Sequence, residues 1–227
     1  MAVVSHRASM FMSSHFLYRS ACHARDKAKA AIPETHELAF NSVTAVIEAV
    51  IATEAFINEL GEHLGVFMRF DPPFLKQPAL AGVADALLLM EEEQGKLTLK
   101  YLLTSHLLGC PFKKGENPFQ DFQTLVRVRN AIVHFKPLDK ISHDEEGSPT
   151  NELPKWVVSL QGRGLARTFP EGMMVSWFIV LHTAEMATWA CDTALKIILS
   201  VLDLVKDDMV SSAFSVFRED PFVGKYL

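Results

Sequence analysis

Two long stretches of this chain space their apolar residues in a way that only one kind of backbone accommodates. In the first, Val43, Ile47, Val50, Ile57 and Leu64 step by threes and fours, with Glu54 and Gly61 filling the gaps. In the second, Trp177, Leu181, Ala184, Thr188, Cys191, Leu195, Ile198, Leu202 and Val205 alternate steps of four and three. A strand repeats every second residue and produces neither pattern, whereas a helix of 3.6 residues per turn lays each series along one stripe. The spacing predicts long helices over residues 35–65 and 177–205, the second with the heptad run of a helix packed along its neighbours.

Turn residues punctuate the rest. Gly65 and Asp71-Pro72-Pro73 close the first long helix. Further helices are expected over residues 80–94, ending at Gly95, and 96–108, ending at Gly109-Cys110-Pro111. Another is expected over 119–135, because Pro137 disfavours helical geometry at Lys136. PFKKGENP reads as a loop, residues 137–154 read as a polar, acidic surface loop, and 155–170 fit either a short helix or a small hairpin. With no alternating strand and no repeat, the expected fold is all-α. It is an antiparallel bundle of four to six helices with long first and last helices and no sheet of consequence. The domain is placed at 34–208, after an N-terminal extension (1–33) with a short helix near residues 10–29, and before a C-terminal tail (209–227).

Composition narrows the function. With 49% hydrophobic and 22% charged residues, 227 residues suffice for a core without staples. The three cysteines contain no CxxC pair, which excludes a zinc ribbon or disulfide framework and suits a reducing cytoplasm. A net charge of −5 argues against coating nucleic acid by bulk charge. The most apolar region, residues 175–205, carries His182, Glu185, Asp192, Lys196 and Asp203, too many for a membrane span. The N-terminus lacks a signal-peptide core. The expected location is cytoplasmic, with no membrane partner. The absence of GxxxxGK[ST], GxGxxG and GxSxG excludes the common nucleotide loops and the hydrolase elbow. No Glu-x-x-His occurs, so no di-metal bundle site, no metal and no cofactor are expected.

One segment breaks the pattern. On a helix through FQDFQTLVRVRNAIVHFK, Phe122, Leu125, Val126, Ile132 and Val133 all fall within about 60° of Arg129. A guanidinium near the centre of an apolar stripe needs a partner. The first long helix supplies one: Glu54 lies within its stripe and Asn58 at its edge, while Glu48 and Glu59 point away. Glu54 and Arg129 are therefore expected to meet, either as an ion pair that fixes helix register or as an Arg held in a crevice for an anion. His134 follows in the last helical turn, where the negative helix end favours an imidazolium. Arg127 and Asn130 share its side of the helix.

LVRVRNAIVHFKP resembles the HEPN superfamily through Arg129, the polar Asn130, a three-residue spacer and His134. EAFINEL (residues 54–60) looks like the first helix of a bacterial branch of HEPN-like proteins. PFQDFQTLVRVRNAIVHFKP is similar to its motif helix, and Trp189-Ala190 to a pair in its closing helix. The likeness covers residues 40–205. It implies a metal-independent endoribonuclease acting as a homodimer, with two motif helices building one site. The 2′-OH of RNA is the nucleophile; Arg129 would bind the scissile phosphate, His134 would move the proton, and Asn130 would position His134. Toxins or phage-defence effectors are the implied setting, with an antitoxin or regulatory protein as a further partner. Lys136 stands where one toxin branch carries a modified Tyr, which sets that route of control aside. Other family members serve only as helical scaffolds. Between residues 110 and 143 six Lys or Arg face three acids, making Lys113, Lys114, Arg127 and Lys136 candidate RNA contacts.

Overall fold

The computed structural model describes residues 13–70, 78–135, 140–143, 149–170 and 173–219. The fold is the expected all-α bundle. In chain order its helices are α1 (Ser13–Ala30), α2 (His36–Phe70), α3 (Pro78–Glu92), α4 (Leu97–Leu107), α5 (Phe119–Val133) and α6 (Lys155–Gly162). They continue with α7 (Trp177–Val180), α8 (Ala184–Leu204), α9 (Asp208–Ala213) and α10 (Val216–Glu219).

α2 is the spine. Its 35 residues span about 52 Å, and α1, α3, α5 and α8 all pack on it. α1 lies along it most extensively because both helices bury small residues, Ala45, Ala49 and Ala52 on α2 and Ala21, Cys22 and Ala28 on α1. The pair is antiparallel: residues 31–35 connect the helices, and Glu59, far along α2, accepts the Ser14 backbone N–H at 3.0 Å and the Ser14 hydroxyl. Glu59 thus caps the positive start of α1. α3 approaches α2 at Gly61, where a Cβ would lie 2.9 Å from the Leu87 Cβ. α4 closes in a Schellman motif around Gly109 (φ 79°), with Cys110 N–H donating to Ser105 C=O and Gly109 N–H to His106 C=O, both at 3.0 Å. By length and hydropathy α2 could cross a membrane, and 56% of that apolar window is buried inside the bundle.

Several elements differ from expectation. The heptad run of 177–205 is two helices. Thr183, in extended geometry (φ −134°, ψ 151°), accepts the Met186 N–H at 2.9 Å and starts α8, while its hydroxyl donates to the Leu165 carbonyl at 2.7 Å. Trp177 and Leu181 remain buried across the break. Periodicity reports which residues face the core, and a capped bend leaves that unchanged. The supposed loop of 137–154 contains an antiparallel hairpin, β1 (Lys140–His143) with β2 (Pro149–Glu152), Lys140 opposite Glu152. Its strands hold a single large apolar residue, Ile141, too little to register as alternation. Of the two readings for 155–170, the helix forms, as α6. Helix α2 runs on through Gly65 to Phe70.

Both flanks join the common core. Tyr18 and Cys22, within the segment read as an extension, are buried with α2 and α8. Phe214 and Phe217, within the tail, meet Phe56 edge-on with ring centroids 5.2 and 5.7 Å apart.

Candidate functional site

Helix α5 buries Phe119, Phe122, Leu125 and Val128, successive threes. Three residues turn a helix through about 300°, so such a stripe drifts by about 60° per step. By Val128 the buried direction has swung about 100° from Arg129. Arg129 still falls near the middle of the arc these four residues span around the helix, but at its own level it is only partly covered, with its side chain 23% exposed.

The expected partnership with Glu54 forms. Arg129 Nη2 donates to Glu54 Oε2 at 3.1 Å, and Nη1 donates to Asn130 Oδ1 at 3.0 Å. Nε is buried with no partner among the described residues. Because the Glu54 side chain is 43% exposed, solvent screens the pair. One turn along α2, Asn58 accepts a hydrogen bond from Lys100 Nζ at 2.8 Å. Lys100 is 3% exposed and also pairs with Glu91. Beside it the Tyr101 hydroxyl donates to the Thr53 carbonyl at 2.8 Å, and burial pushes the phenol pKa up, keeping it a neutral donor. Two polar clusters therefore sit on one face of α2, Glu54–Arg129–Asn130 and Asn58–Lys100–Glu91. Sequence reasoning missed Lys100, although LTLKYLLTSHL carried the signal that exposed Arg129, a lone cation among buried positions.

His134 caps α5 with an exposed side chain, its N–H donating to the Asn130 carbonyl at 3.0 Å. It lies about 7.5 Å along the axis from Arg129 and about 140° around it. The two share a helix end but not a face, and the Asn130 amide oxygen is turned to Arg129. Large apolar residues flank His134: Val133 is 51% exposed and Phe135 58%. The Phe135 ring lies 5.7 Å from Phe178 and 6.0 Å from Trp177, tying the end of α5 to α7.

The candidate RNA contacts are dispersed. Arg127 is exposed on α5. Lys113 and Lys114 are exposed in the segment before its N-terminus, whereas His134 caps its far end, and Lys113 pairs with Glu116 at 3.0 Å. Lys136 lies outside the described residues. Glu48 Oε2 is buried with no hydrogen-bond partner among the described residues. Those residues hold no group of three or more His, Cys, Asp or Glu placed to bind a metal ion.

Comparison of the chain with protein-family models, with curated proteins and with solved structures returned no match in any of the three.

Proposed function

We propose that this chain is a metal-independent endoribonuclease of HEPN type that works in the cytoplasm as a homodimer, in the setting of a toxin or defence effector held by a regulatory protein. The observation that carries the reading is the half-screened Arg129–Glu54 pair, five residues before an exposed His134 at the same helix end. A guanidinium neutralised by a solvent-accessible carboxylate exchanges that carboxylate for a phosphate at small cost. With about 140° between Arg129 and His134 around one helix, the reading brings both to one phosphate by apposing two α5 ends. Val133 and Phe135 are an apolar rim that a second copy would cover.

In the proposed reaction the 2′-oxygen attacks the adjacent phosphorus as its proton passes to one His134 imidazole. Arg129 stabilises the charge on the phosphorane oxygens. The P–O5′ bond breaks, and the partner subunit's His134 protonates the departing 5′-oxygen. The products are a 2′,3′-cyclic phosphate and a 5′-hydroxyl, and no water is consumed.

A second reading, a helical interaction module, is favoured by the engagement of both terminal Arg129 nitrogens within the chain. The two separate in one assay on single-stranded or loop RNA, with and without chelator. His134→Ala should lower chelator-resistant cleavage roughly 10²- to 10⁴-fold at unchanged melting temperature. Equal cleavage by wild type and His134→Ala, the mark of a contaminating nuclease, or none by either, would overturn the ribonuclease and leave the interaction module as the better reading.

A further inference from the structure

A cavity away from α5 lies between the start of α2 and the chain on either side of α7. We propose that it is a binding site for a small molecule with an apolar body and a single carboxylate. Its volume is about 730 Å³, within the range of small-molecule sites. Leu38, Phe169, Pro170, Met173 and Ile179 form its apolar walls. Met173 and Ile179 are 54% and 45% exposed, so the apolar lining is unfinished.

Arg167 and His182 are among its lining residues. Arg167 is fixed through its backbone, its N–H donating to the Val180 carbonyl at 2.7 Å and its carbonyl accepting from Gln161 Nε2 at 2.6 Å. Its guanidinium carbon stands 5.2 Å from the centre of the Phe169 ring. His182 is carried into the wall by the break between α7 and α8. Its ring stands edge-on to Phe178 at 4.6 Å, and its Nε2 is buried with no hydrogen-bond partner among the described residues. Burial and the Arg167 charge hold this imidazole in its neutral form, which can donate from Nε2. The cavity thus presents a charged donor, the Arg167 guanidinium, in an otherwise apolar wall.

The headgroup chemistry follows from what Arg167 already holds. Its Nη2 pairs with the Glu34 carboxylate. Glu34 is 72% exposed, on a residue with φ 68°, so this carboxylate reaches the cavity mouth from outside. A ligand carboxylate would take its place on Arg167 and lay its apolar body against Phe169, Met173 and Ile179. The proposal is independent of the ribonuclease reading.

Glu34 is thereby an internal competitor, which gives the test its direction. Decanoate, kept below its micelle concentration, is titrated calorimetrically into wild type, Glu34→Gln and Arg167→Gln, with decanol as the uncharged control. The expected result is one decanoate per chain, bound at least threefold more tightly by Glu34→Gln and at least tenfold more weakly by Arg167→Gln. Decanol should show no difference among the three. Absence of saturable binding to both wild type and Glu34→Gln, several decanoates per chain, or equal affinities across the series would overturn the proposal. Should Arg167→Gln fail to fold, the surface substitution Glu34→Gln decides alone, and failure to tighten binding overturns it.

Discussion

The Glu54–Arg129 pair shows how far residue-scale reasoning reaches and where it stops. That two charged residues on apolar stripes should meet was legible, because each lacked another partner. How deeply they would be buried was not, because an i, i+3 stripe drifts, and at the level of Arg129 the neighbouring elements cover the pair only in part. The difference changes the energetics. A fully buried pair loses about 3–5 kcal/mol when broken, whereas a screened one loses about 1 kcal/mol or less. Arg129→Ala, Glu54→Ala and the double variant should therefore give a coupling energy of at most about 1 kcal/mol by urea denaturation. A larger coupling would mean the pair is sealed from solvent in the assembled protein, and Arg129→Ala would then lose its value as a test of catalysis. His182 gives a second prediction. Its folded-state pKa lies below its unfolded value of 6.5 because burial and Arg167 disfavour the imidazolium. The unfolded chain consequently binds the extra proton first as pH falls. The stability His182 contributes is whole above about pH 6.5 and is lost progressively below it. His182→Phe should narrow the stability gap between pH 7.5 and 5.5 relative to wild type; an unchanged gap would assign the acid sensitivity to other groups.

Helices α3, α4 and α5 were readable at nearly their observed ends because each boundary has a local chemical cause, such as the Gly109 turn closing α4. The bend at Thr183 was hidden because heptad spacing continues through it, and the hairpin because four-residue strands with one large apolar side chain carry no period. Contacts between elements are also invisible to single-chain periodicity, and Gly61 illustrates the consequence. In the sequence it is a gap in a stripe, and in the bundle it is where α3 touches α2. An added methyl would stand 2.9 Å from the root of the Leu87 side chain, which cannot swing aside. Gly61→Ala should cost about 1–3 kcal/mol through overpacking. Gly82, within α3, has nothing within 4 Å of an added Cβ, so Gly82→Ala should stabilise by about 0.4–1 kcal/mol. Thermal denaturation of the two variants should shift in opposite directions, and shifts of the same sign would contradict the α2–α3 packing.

For the whole molecule, the decisive quantity is mass in solution. Under the proposed ribonuclease reading, a chain of 25.4 kDa whose Arg129 and His134 diverge around one helix would use two copies to bring both to one phosphate. Light scattering at micromolar concentration should give twice the chain mass, and Phe135→Glu should return it to the single-chain value while leaving the helical circular dichroism intact. A cleaving protein that stays monomeric would remove the composite site. The arrangement of α2 also bears on how the chain is made. Its apolar length emerges from the ribosome directly after α1, so one side is covered by a partner already synthesised. The side that meets α8 stays open while roughly 130 further residues are added, about 7–27 s at ordinary elongation rates. During that interval a segment that meets the length and hydropathy of a bilayer span is covered first by α1 and then, as they emerge, by α3 and α5, so α1 is the earliest cover for its apolar length.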